Sequence, residues 1–421
     1  MTSASVPART PRGGGPGTQL CAIAGLVGLL CCCGLGTGVS SDDSRPAPLL
    51  ADGGVAAREQ PVPQPRPIVG VVVIDVQVLF VNTAANNDIA QILEGAKEVS
   101  LLARDHQAPF LITFEHSKVQ SGYTLPPQLQ GAVPPDAHEF VKTTFAATGL
   151  PSFASRVRQL GLSHLLLLGA ETDVCVLQTA LGLRAMDLTV ILLEDTVFTS
   201  EPNTAPALRR MKQAGVLMAR RAQVQNYLGR SSALPPRPEL PVRIVEPLGV
   251  AAVLNHLDDA ALASSADPRR LAKQARLREL LLISEWFDIP LYGTTTTLPA
   301  ALKGLVSKPV MPLASLATNA AVKQVVLAGT DQDLIARVNG LRPTHDVFIM
   351  EDGLLATGAI DQATALEGLY QSGVAVPTTY KSFYYEMTRS IDLQQWPKAW
   401  VERYDEYYNK TSAPEDLPPI S

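Results

Sequence analysis

An aspartate, a lysine and a cysteine in the first half of the sequence carry the side chains needed for nucleophilic hydrolysis. Asp75 ends the apolar run IVGVVVID, Lys142 lies in VKTTFAATGL, and Cys175 lies in GAETDVCV. A cysteine thiolate is a nucleophile, a carboxylate can act as a base, and a lysine ammonium carries a positive charge. The three residue types indicate hydrolysis through a covalent intermediate, provided that the fold brings them together.

Each of the three residues also has an ordinary structural interpretation. An aspartate directly after a strand often caps the next helix, and most lysines lie in solvent. A single cysteine in a folded domain is most often a small buried apolar residue. The chemistry therefore depends on the elements that position these side chains.

Apolar runs that alternate with helical segments predict a parallel sheet around these residues. The β-branched run at 68–75 is typical of a strand buried on both faces. Further strands are predicted at 109–114, 165–169 and 190–193, and helices at 88–104, 152–160 and 176–186. Strands and helices in alternation form a doubly wound sheet, and ligands bind at the carboxyl ends of its strands. Asp75 is expected at that edge.

The segment around Cys175 predicts a tight turn between a strand and a helix. The apolar run LLLL is followed by Gly169 and then by Cys175, near the expected start of the helix. The free N–H groups and the positive dipole end of a helix N-terminus lower the pKa of a thiol and can hold an oxyanion. The sequence therefore predicts a stabilised thiolate at Cys175.

The second half of the sequence repeats the pattern of the first. SHLLLLGAE at 163–171 has a counterpart in VKQVVLAGTD at 322–331, and LLED at 192–195 matches IMED at 349–352. Internal repeats of this kind indicate tandem duplication. The predicted fold class is α/β, with two tandem three-layer α/β/α domains that contain doubly wound parallel sheets of the Rossmann type.

The repeat also predicts that the second half lacks the chemistry of the first. Aligning Gly169 with Gly329 places Ile335 where Cys175 stands and Asn255 near the position of Asp75, and in a looser register it matches Lys308 with Lys142. Without a nucleophile and a base, the second half is expected to be a non-catalytic domain that packs on the first as a second subunit would.

The first half resembles the isochorismatase-like family of cysteine hydrolases, which also contains nicotinamidases. The family motif G-x-x-T-D-x-C-V is met in full at 169–176, and the family's D-x-Q is met by Asp75 and Gln77. The family's lysine before a Thr/Ser-Phe step is met by Lys142. The resemblance spans residues 68–228 and implies that Asp75, Lys142 and Cys175 are the catalytic residues.

The resemblance further implies a role for each residue. Asp75 takes the proton from Cys175, Lys142 keeps the pair poised, and the thiolate attacks a carbonyl carbon. A cis peptide bond between Ala170 and Glu171 turns the N–H of Glu171, together with that of Cys175, toward the developing oxyanion. The candidate residues of the substrate pocket are Gln77, Phe80, Glu115 and His116.

No metal and no cofactor are expected. Metal-binding relatives carry an Asp-x-His pair after the second strand, whereas this sequence reads TFEHSKVQSG there, with Glu115 and His116. The leading hypothesis is cleavage of a small amide or carbamoyl substrate through an acyl-cysteine thioester. Two alternatives stay open. One is isochorismate-type vinyl-ether hydrolysis, which does not depend on the thiolate, and the other is a non-catalytic exported binding protein.

The composition of the 421-residue chain limits its partners. A net charge of -5, the absence of long basic runs and an aromatic content of 5% argue against nucleic-acid binding. With 46% apolar and 18% charged residues the chain is typical of a globular protein. The expected partner is a small-molecule substrate, and the chain is a candidate homo-oligomer.

The N-terminal segment predicts export. An uncharged apolar stretch at 20–39 follows Arg9 and Arg12, which is the order of a secretory signal peptide and also long enough for a membrane anchor. The protein is expected to be periplasmic, secreted or membrane-anchored, and cytoplasmic if this segment is not used. Membrane contact is expected only through residues 20–39. The predicted boundaries are 1–40 for the signal or anchor, 41–66 for a linker, 67–230 for the catalytic domain, 231–245 for a second linker, 246–391 for the degenerate domain and 392–421 for a tail.

Overall fold

The computed structural model describes residues 67–85, 88–116, 123–201, 204–229, 234–265 and 267–389, with only the backbone of Ser264. These residues fall in one unit of the chain, which begins at Gln64. The predicted signal or anchor at 1–40, the linker at 41–66 and the tail at 392–421 lie outside the described residues.

The first half folds around a six-stranded sheet in which all neighbouring strands are parallel. Its strands are β1 (Ile68–Ile74), β2 (Phe110–Glu115), β3 (His138–Lys142), β4 (Leu162–Ala170), β5 (Thr189–Phe198) and β6 (Leu217–Ala219). They lie side by side in the order β3-β2-β1-β4-β5-β6. From β1 the chain adds strands first on one side, as β2 and β3, and then on the other, as β4, β5 and β6. At such a reversal between β1 and β4, a crevice forms at the carboxyl ends of the two strands.

Helices cover both faces of this sheet. They are α1 (Val78–Asn82), α2 (Ile89–Asp105), α3 (Pro151–Gln159), α4 (Leu177–Ala185), α5 (Ala205–Gln213) and α6 (Val224–Leu228). Val71 and Val73 belong to the apolar core that includes residues of α2 and α6, whereas Val72 and Ile74 belong to the core that includes residues of α3, α4 and α5. Successive side chains of a strand point to opposite faces, so the β-branched run supplies both cores at once.

The second half repeats this architecture. Its parallel strands are β7 (Val250–Asn255), β8 (Leu291–Gly293), β9 (Met311–Pro312), β10 (Gln324–Thr330), β11 (Asp346–Leu355) and β12 (Val376–Thr378). Its helices are α7 (Asp259–Ser264), α8 (Arg270–Trp286), α9 (Leu334–Leu341), α10 (Gln362–Gln371) and α11 (Tyr380–Met387). Among the helices of the described residues, none combines the length and apolarity needed to span a membrane.

The two sheets have the same strand order, which confirms the predicted fold class. In each half the third, second, first, fourth, fifth and sixth strands lie side by side. The second sheet also has an apolar core on each face. Residues 234–249, between α6 and β7, contain no helix or strand. The exact domain boundaries stay predictions.

Buried polar contacts join the two halves. The Arg210 side chain of α5 forms an ion pair with Glu386 of α11, and both side chains are almost fully buried. Gln213 donates hydrogen bonds to the carbonyl oxygens of Tyr370, at 3.1 Å, and Ala375, at 2.7 Å. Tyr385 of α11 packs against the apolar cores of both halves. The fold therefore places α11 in the boundary between the sheets.

Gly169 is required where β4 runs beside the end of β1. Its φ is +121°, and a Cβ built there would lie 2.0 Å from the carbonyl oxygen of Ile74, the residue before Asp75. Only glycine adopts this backbone conformation readily, and only glycine leaves room for the neighbouring strand.

We therefore expect Gly169→Ala to lower the free energy of unfolding by about 3 kcal/mol or more, because backbone rather than a side chain must move. Gly131→Ala is the matched control, since Gly131 also has a positive φ of +78° but a Cβ added there would have nothing within 4 Å. Gly131→Ala should lower the free energy of unfolding by about 1–2 kcal/mol. Urea unfolding of both variants measures the difference, and equal costs would contradict the close approach.

Candidate active site

Lys142 lies at the centre of a buried cluster at the carboxyl edge of the first sheet. Its Nζ is 2.7 Å from Asp75 Oδ2, 3.3 Å from Cys175 Sγ and 3.5 Å from Glu115 Oε2. The side chains of Lys142 and Asp75 are fully buried, whereas that of Glu115 is 22% exposed. The three residues predicted as catalytic are thus brought together, with Glu115 as a fourth member. Their catalytic roles stay predictions.

The chain direction of neighbouring strands explains this convergence. Asp75 follows β1, Glu115 ends β2, and Lys142 ends β3, where it is the register partner of Glu115. Cys175 follows β4. This strand pairs with β1 on the side of β1 opposite to β2. Because the carboxyl ends of parallel strands lie at one edge of a sheet, residues far apart in sequence meet there.

Asp75 is fixed by Thr113, a residue that was not predicted as part of the site. The backbone N–H of Asp75 donates to the carbonyl oxygen of Thr113 at 3.1 Å, and the Thr113 hydroxyl donates to Asp75 Oδ1 at 2.8 Å. Asp75 also has a positive φ of 47°. The other carboxylate oxygen faces Lys142. A further match of the internal repeat, between APFLIT at 108–113 and IPLYGT at 289–294, pairs Thr113 with Thr294 and was the available signal for it.

Gln77 positions Glu115 through its backbone. The Glu115 N–H donates to Gln77 Oε1 at 2.8 Å, and Gln77 Nε2 donates to the Glu115 carbonyl oxygen at 3.2 Å. Gln77 itself is fully buried. Gln77 therefore fixes the end of β2, from which the Glu115 carboxylate reaches the cysteine. It was predicted to line the substrate pocket and is found holding a pocket residue in place.

Cys175 lies in a tight turn between β4 and α4. The residues from Thr172 to Val176 form a single π-helical turn before α4 begins at Leu177. The peptide bond between Ala170 and Glu171 is cis, which confirms the expectation drawn from the resemblance. Cys175 is 2% exposed, and its thiol donates a hydrogen bond to Glu115 Oε2 at 3.1 Å. The thiol is thus held between an acceptor and the ammonium of Lys142.

Burial and the charges of the cluster shift the pKa values of Lys142 and Glu115 in opposite directions. Burial lowers the pKa of Lys142, but the attraction of Asp75, Cys175 and Glu115 outweighs it and raises the pKa above its ordinary value. Burial raises the pKa of Glu115, and Lys142 opposes that rise. Lys142 is therefore charged over the whole physiological range.

The expectation of a stabilised thiolate is wrong for this arrangement. Burial raises the pKa of the Cys175 thiol well above its ordinary value, and the nearby carboxylates of Glu115 and Asp75 add to the rise. The positive charge of Lys142 lowers the pKa of the thiol, but by less than burial raises it. One ammonium already balances two carboxylates, so a third negative charge in a dry site is unfavourable. The resting form is the thiol hydrogen-bonded to Glu115.

Three residues of the cluster also carry atoms that could bind a metal ion. Asp75, Glu115 and Cys175 each offer one such atom, and these atoms lie within 4.8 Å of one another. The ammonium of Lys142, however, lies within 3.5 Å of all three residues. A divalent cation would meet this buried positive charge at close range, so the donor set does not fit a metal ion.

Two further predicted pocket residues, Phe80 and His116, come after β1 and β2 in the chain. His116 is exposed, and its Nδ1 lies 2.8 Å from the Tyr123 hydroxyl. Phe80, on α1, packs against the core on the α2 face of the sheet. Glu171 accepts a hydrogen bond from the Ser200 backbone N–H at 3.0 Å. Residues 117–122, which come after β2 in the chain, lie outside the described residues.

A doubly wound parallel sheet thus carries a buried cysteine, a lysine and two carboxylates at its carboxyl edge. Comparison with known proteins identifies the family. The isochorismatase domain model matches residues 69–223. The rat isochorismatase domain-containing protein 2 is 31% identical over 160 residues, which is 38% of this chain and 73% of the relative. The chain belongs to the isochorismatase domain family.

Two solved structures are similar to part of the chain. The YcaC gene product of Escherichia coli, described as an octameric hydrolase of unknown specificity, is 23% identical, with a TM-score of 0.35 over 37% of this chain and 77% of its own. The nicotinamidase/pyrazinamidase PncA of Bacillus subtilis is 17% identical, with a TM-score of 0.32 over 36% of this chain and 99% of its own.

The second sheet carries a different set of residues at the same edge. His256 has a φ of 44°, and its N–H donates to the Thr294 hydroxyl at 2.7 Å, as Asp75 does to Thr113 at 3.3 Å. His256 therefore occupies the position of Asp75, and Asn255, which was predicted near that position, precedes it by one residue. The Asn255 side chain instead donates to the Thr330 carbonyl oxygen at 3.0 Å.

The predicted counterpart of Lys142 was wrong. Lys308 precedes β9, whereas Lys142 is the last residue of β3. The Lys308 ammonium forms an ion pair with Asp288 at 2.7 Å and donates to the Ser284 carbonyl oxygen at 3.1 Å. Ile335, the predicted counterpart of Cys175, is 47% exposed in α9. The match of Ile335 with Cys175 stays a prediction.

The raised pKa of Cys175 predicts slow alkylation at neutral pH. Because its thiolate fraction is smaller than that of an ordinary thiol with a pKa of about 8.5, iodoacetamide should react more than about tenfold more slowly, and the rate should still rise above that pH. Mass spectrometry of the peptide that contains Cys175 separates it from the other four cysteines. The unfolded chain in urea is the control and should react at the ordinary rate. Fast alkylation of the folded chain at neutral pH would contradict the assignment.

Proposed function

We propose that the chain is a cysteine hydrolase that cleaves a small amide or carbamoyl compound through an acyl-cysteine thioester. The observation that carries this proposal is the position of the Cys175 thiol, 3.1 Å from Glu115 Oε2 and 3.3 Å from Lys142 Nζ. A proton acceptor and a fixed positive charge thus lie within reach of one buried nucleophile. This is the arrangement that nucleophilic catalysis by a thiol requires.

Glu115, rather than Asp75, is the first acceptor of the thiol proton in this proposal. The thiol already donates to Glu115, and the pKa of Glu115 is raised by burial, which reduces the cost of transfer from sulfur. Asp75 accepts from Thr113 and is paired with Lys142. The function of Asp75 is then to hold Lys142 beside the sulfur, where the ammonium stabilises the thiolate as it forms.

The reaction proceeds in two halves. Cys175 transfers its proton to Glu115, the sulfur bonds to the substrate carbonyl carbon, and the carbonyl oxygen becomes an oxyanion near the N–H groups of Glu171 and Cys175. Collapse of this intermediate breaks the C–N bond, and Glu115 returns the proton to the departing ammonia or amine. Water then attacks the thioester, Glu115 accepts its proton, and the C–S bond breaks to release the acid. The proton returns to the sulfur.

Exposure within the cluster indicates the side from which the substrate enters. Glu115 is 22% exposed, whereas Asp75 and Lys142 are fully buried and Cys175 is 2% exposed. The substrate would therefore approach past Glu115, beside the exposed His116. A neutral amide is favoured over an anionic substrate at this entrance, because Glu115 carries negative charge when it acts as the base.

We also propose that the second half is a degenerate copy of the first. Its sheet has the same strand order, and its histidine at the Asp75 position has the same backbone conformation and threonine contact. A histidine instead of the aspartate, and Ile335 instead of the cysteine, would leave it unable to run this reaction.

The proposed activity is tested by a screen for ammonia release from small primary amides and carbamoyl compounds. We expect the wild-type chain to turn over a member of this set and Cys175→Ala to be inactive, because the thioester cannot form. Rapid quenching with mass spectrometry should find the acyl group on the peptide of Cys175. Full activity of Cys175→Ala would exclude the thioester, and with a vinyl-ether substrate it would favour the isochorismate-type reaction. Stoichiometric binding without turnover would favour the binding protein.

Glu115→Gln tests the identity of the base. The substitution keeps the size of the side chain and removes its basicity, so we expect kcat to fall by about 10² or more with a small change in KM. Glu139→Gln is the matched control, because Glu139 lies exposed in β3 and takes no part in the cluster. It should leave kcat unchanged. If Glu115→Gln keeps nearly full kcat and Asp75→Asn does not, Asp75 is the base.

A further inference from the structure

The nucleophile turn, Glu171–Cys175, is held by a lysine from the other half of the chain. Lys381, on α11, places its Nζ 3.0 Å from Ser200 Oγ, 3.3 Å from Glu171 Oε2 and 3.7 Å from Asp173 Oδ2. A third carboxylate, that of Glu201, lies 3.8 Å away. Two of these acidic residues belong to the turn itself, and one of them supplies a proposed oxyanion N–H group.

Burial makes this contact strong. The Lys381 side chain is 10% exposed and that of Asp173 is 3% exposed. Burial raises the pKa of Asp173, and Lys381 is the main group that opposes the rise. Burial lowers the pKa of Lys381, but Asp173, Glu171 and Glu201 outweigh it and raise the pKa above its ordinary value. The lysine therefore stays charged and balances carboxylates that would otherwise repel one another in a poorly solvated place.

A second contact from the same helix supports the turn. The Ser382 hydroxyl donates to the backbone carbonyl oxygen of Asp173 at 3.0 Å. Asp173 is further fixed by the Thr199 hydroxyl, which donates to its Oδ1 at 2.6 Å. The backbone and the side chain of Asp173, two residues before Cys175, are thus both held by residues outside the turn.

The start of α11 is in turn anchored within the second half. The Tyr380 N–H donates to Asp352 Oδ1 at 3.0 Å, and the Arg276 guanidinium lies over the Tyr380 ring at 4.1 Å. The Thr379 hydroxyl caps the helix by accepting from the Ser382 N–H at 3.0 Å. These contacts fix Lys381 and Ser382 relative to the second sheet, so the second half supplies a fixed support for the turn.

We infer that Lys381 is a positioning residue for the nucleophile, supplied by the second half to the active site of the first. Lys381 and Ser382 hold the nucleophile turn so that the Cys175 thiol stays buried between Glu115 and Lys142. The effect on turnover rests on the proposed hydrolase function, whereas the effect on the thiol does not.

The test uses the full chain with Lys381→Met and compares two readouts. Release of the turn admits water to Cys175, so iodoacetamide should alkylate it at neutral pH on the order of tenfold faster, and the pH dependence of the rate should move toward that of an ordinary thiol. The kcat for an amide found in the screen should fall, because the sulfur is no longer aligned. Lys381→Arg keeps the charge, so its alkylation profile and its kcat should both stay close to those of the wild-type chain.

Lys273→Met is the matched control for loss of stability. Lys273 is also a buried lysine of the second half, paired with Asp267 at 2.5 Å, and its polar contacts are with Asp267, Leu354 and Gln362. It should lower the melting temperature without changing the pH dependence of Cys175 alkylation. An equal change in this control, or an unchanged alkylation profile in Lys381→Met, overturns the inference.

A second, milder variant covers the case in which Lys381→Met does not fold. Ser382→Ala removes the hydrogen bond to Asp173 and no charge, and it should accelerate alkylation in the same direction by a smaller factor. If Lys381→Met is unfolded and Ser382→Ala keeps the wild-type alkylation profile, the contacts from α11 do not position the thiol and the inference fails. If alkylation shifts as expected but no amide is turned over, the positioning role stands and the proposed function fails.

Discussion

The buried ion pair between Lys142 and Asp75 is the interaction on which the site depends. A charged lysine removed from water is costly unless negative groups surround it at short range. Here Asp75, Glu115 and the Cys175 sulfur lie within 3.5 Å of its ammonium. Together with Lys142, these three residues lie at or after the ends of four different strands, so the parallel sheet is what makes the compensation possible. The positive charge of the ammonium in turn offsets the repulsion between the two carboxylates, so that they and the thiol can lie close together.

The second half contributes a further buried lysine, Lys381, which is paired with acidic residues of the turn that carries Cys175. Lys142 faces the sulfur from β3, and Lys381 faces the acidic residues of the turn from α11. Each lysine is surrounded by carboxylates, and each is buried. The second sheet keeps the strand order of the first but has His256 in place of Asp75, so the same fold is present without the acidic residue at its edge. The helix that follows its last strand contacts the nucleophile turn of the first half.

Parts of the site were beyond sequence reasoning for identifiable physical reasons. Glu115 was predicted only as a pocket residue, because its contact with Cys175 depends on the register of β2 and β3 and on Gln77. The pKa of Cys175 was predicted in the wrong direction, because a helix terminus is visible in the sequence whereas burial among two carboxylates is not. His256 was missed by one residue, because the positive φ and the threonine contact that define the position are properties of the backbone.

The sequence by itself indicated the parallel α/β fold, its repeat in the second half and the position of the candidate nucleophile. Apolar runs and the motif at 169–176 are local features, and local features fix strands, turns and their order along the chain. Only the tertiary structure decided how charge is shared around Cys175 and that Lys381 contacts its turn. Those outcomes depend on distance and burial between residues such as Asp173 and Ser382, which are 209 positions apart in the chain and 3.0 Å apart in space. Electrostatic energy follows spatial separation and solvent access, and neither is written in the order of residues.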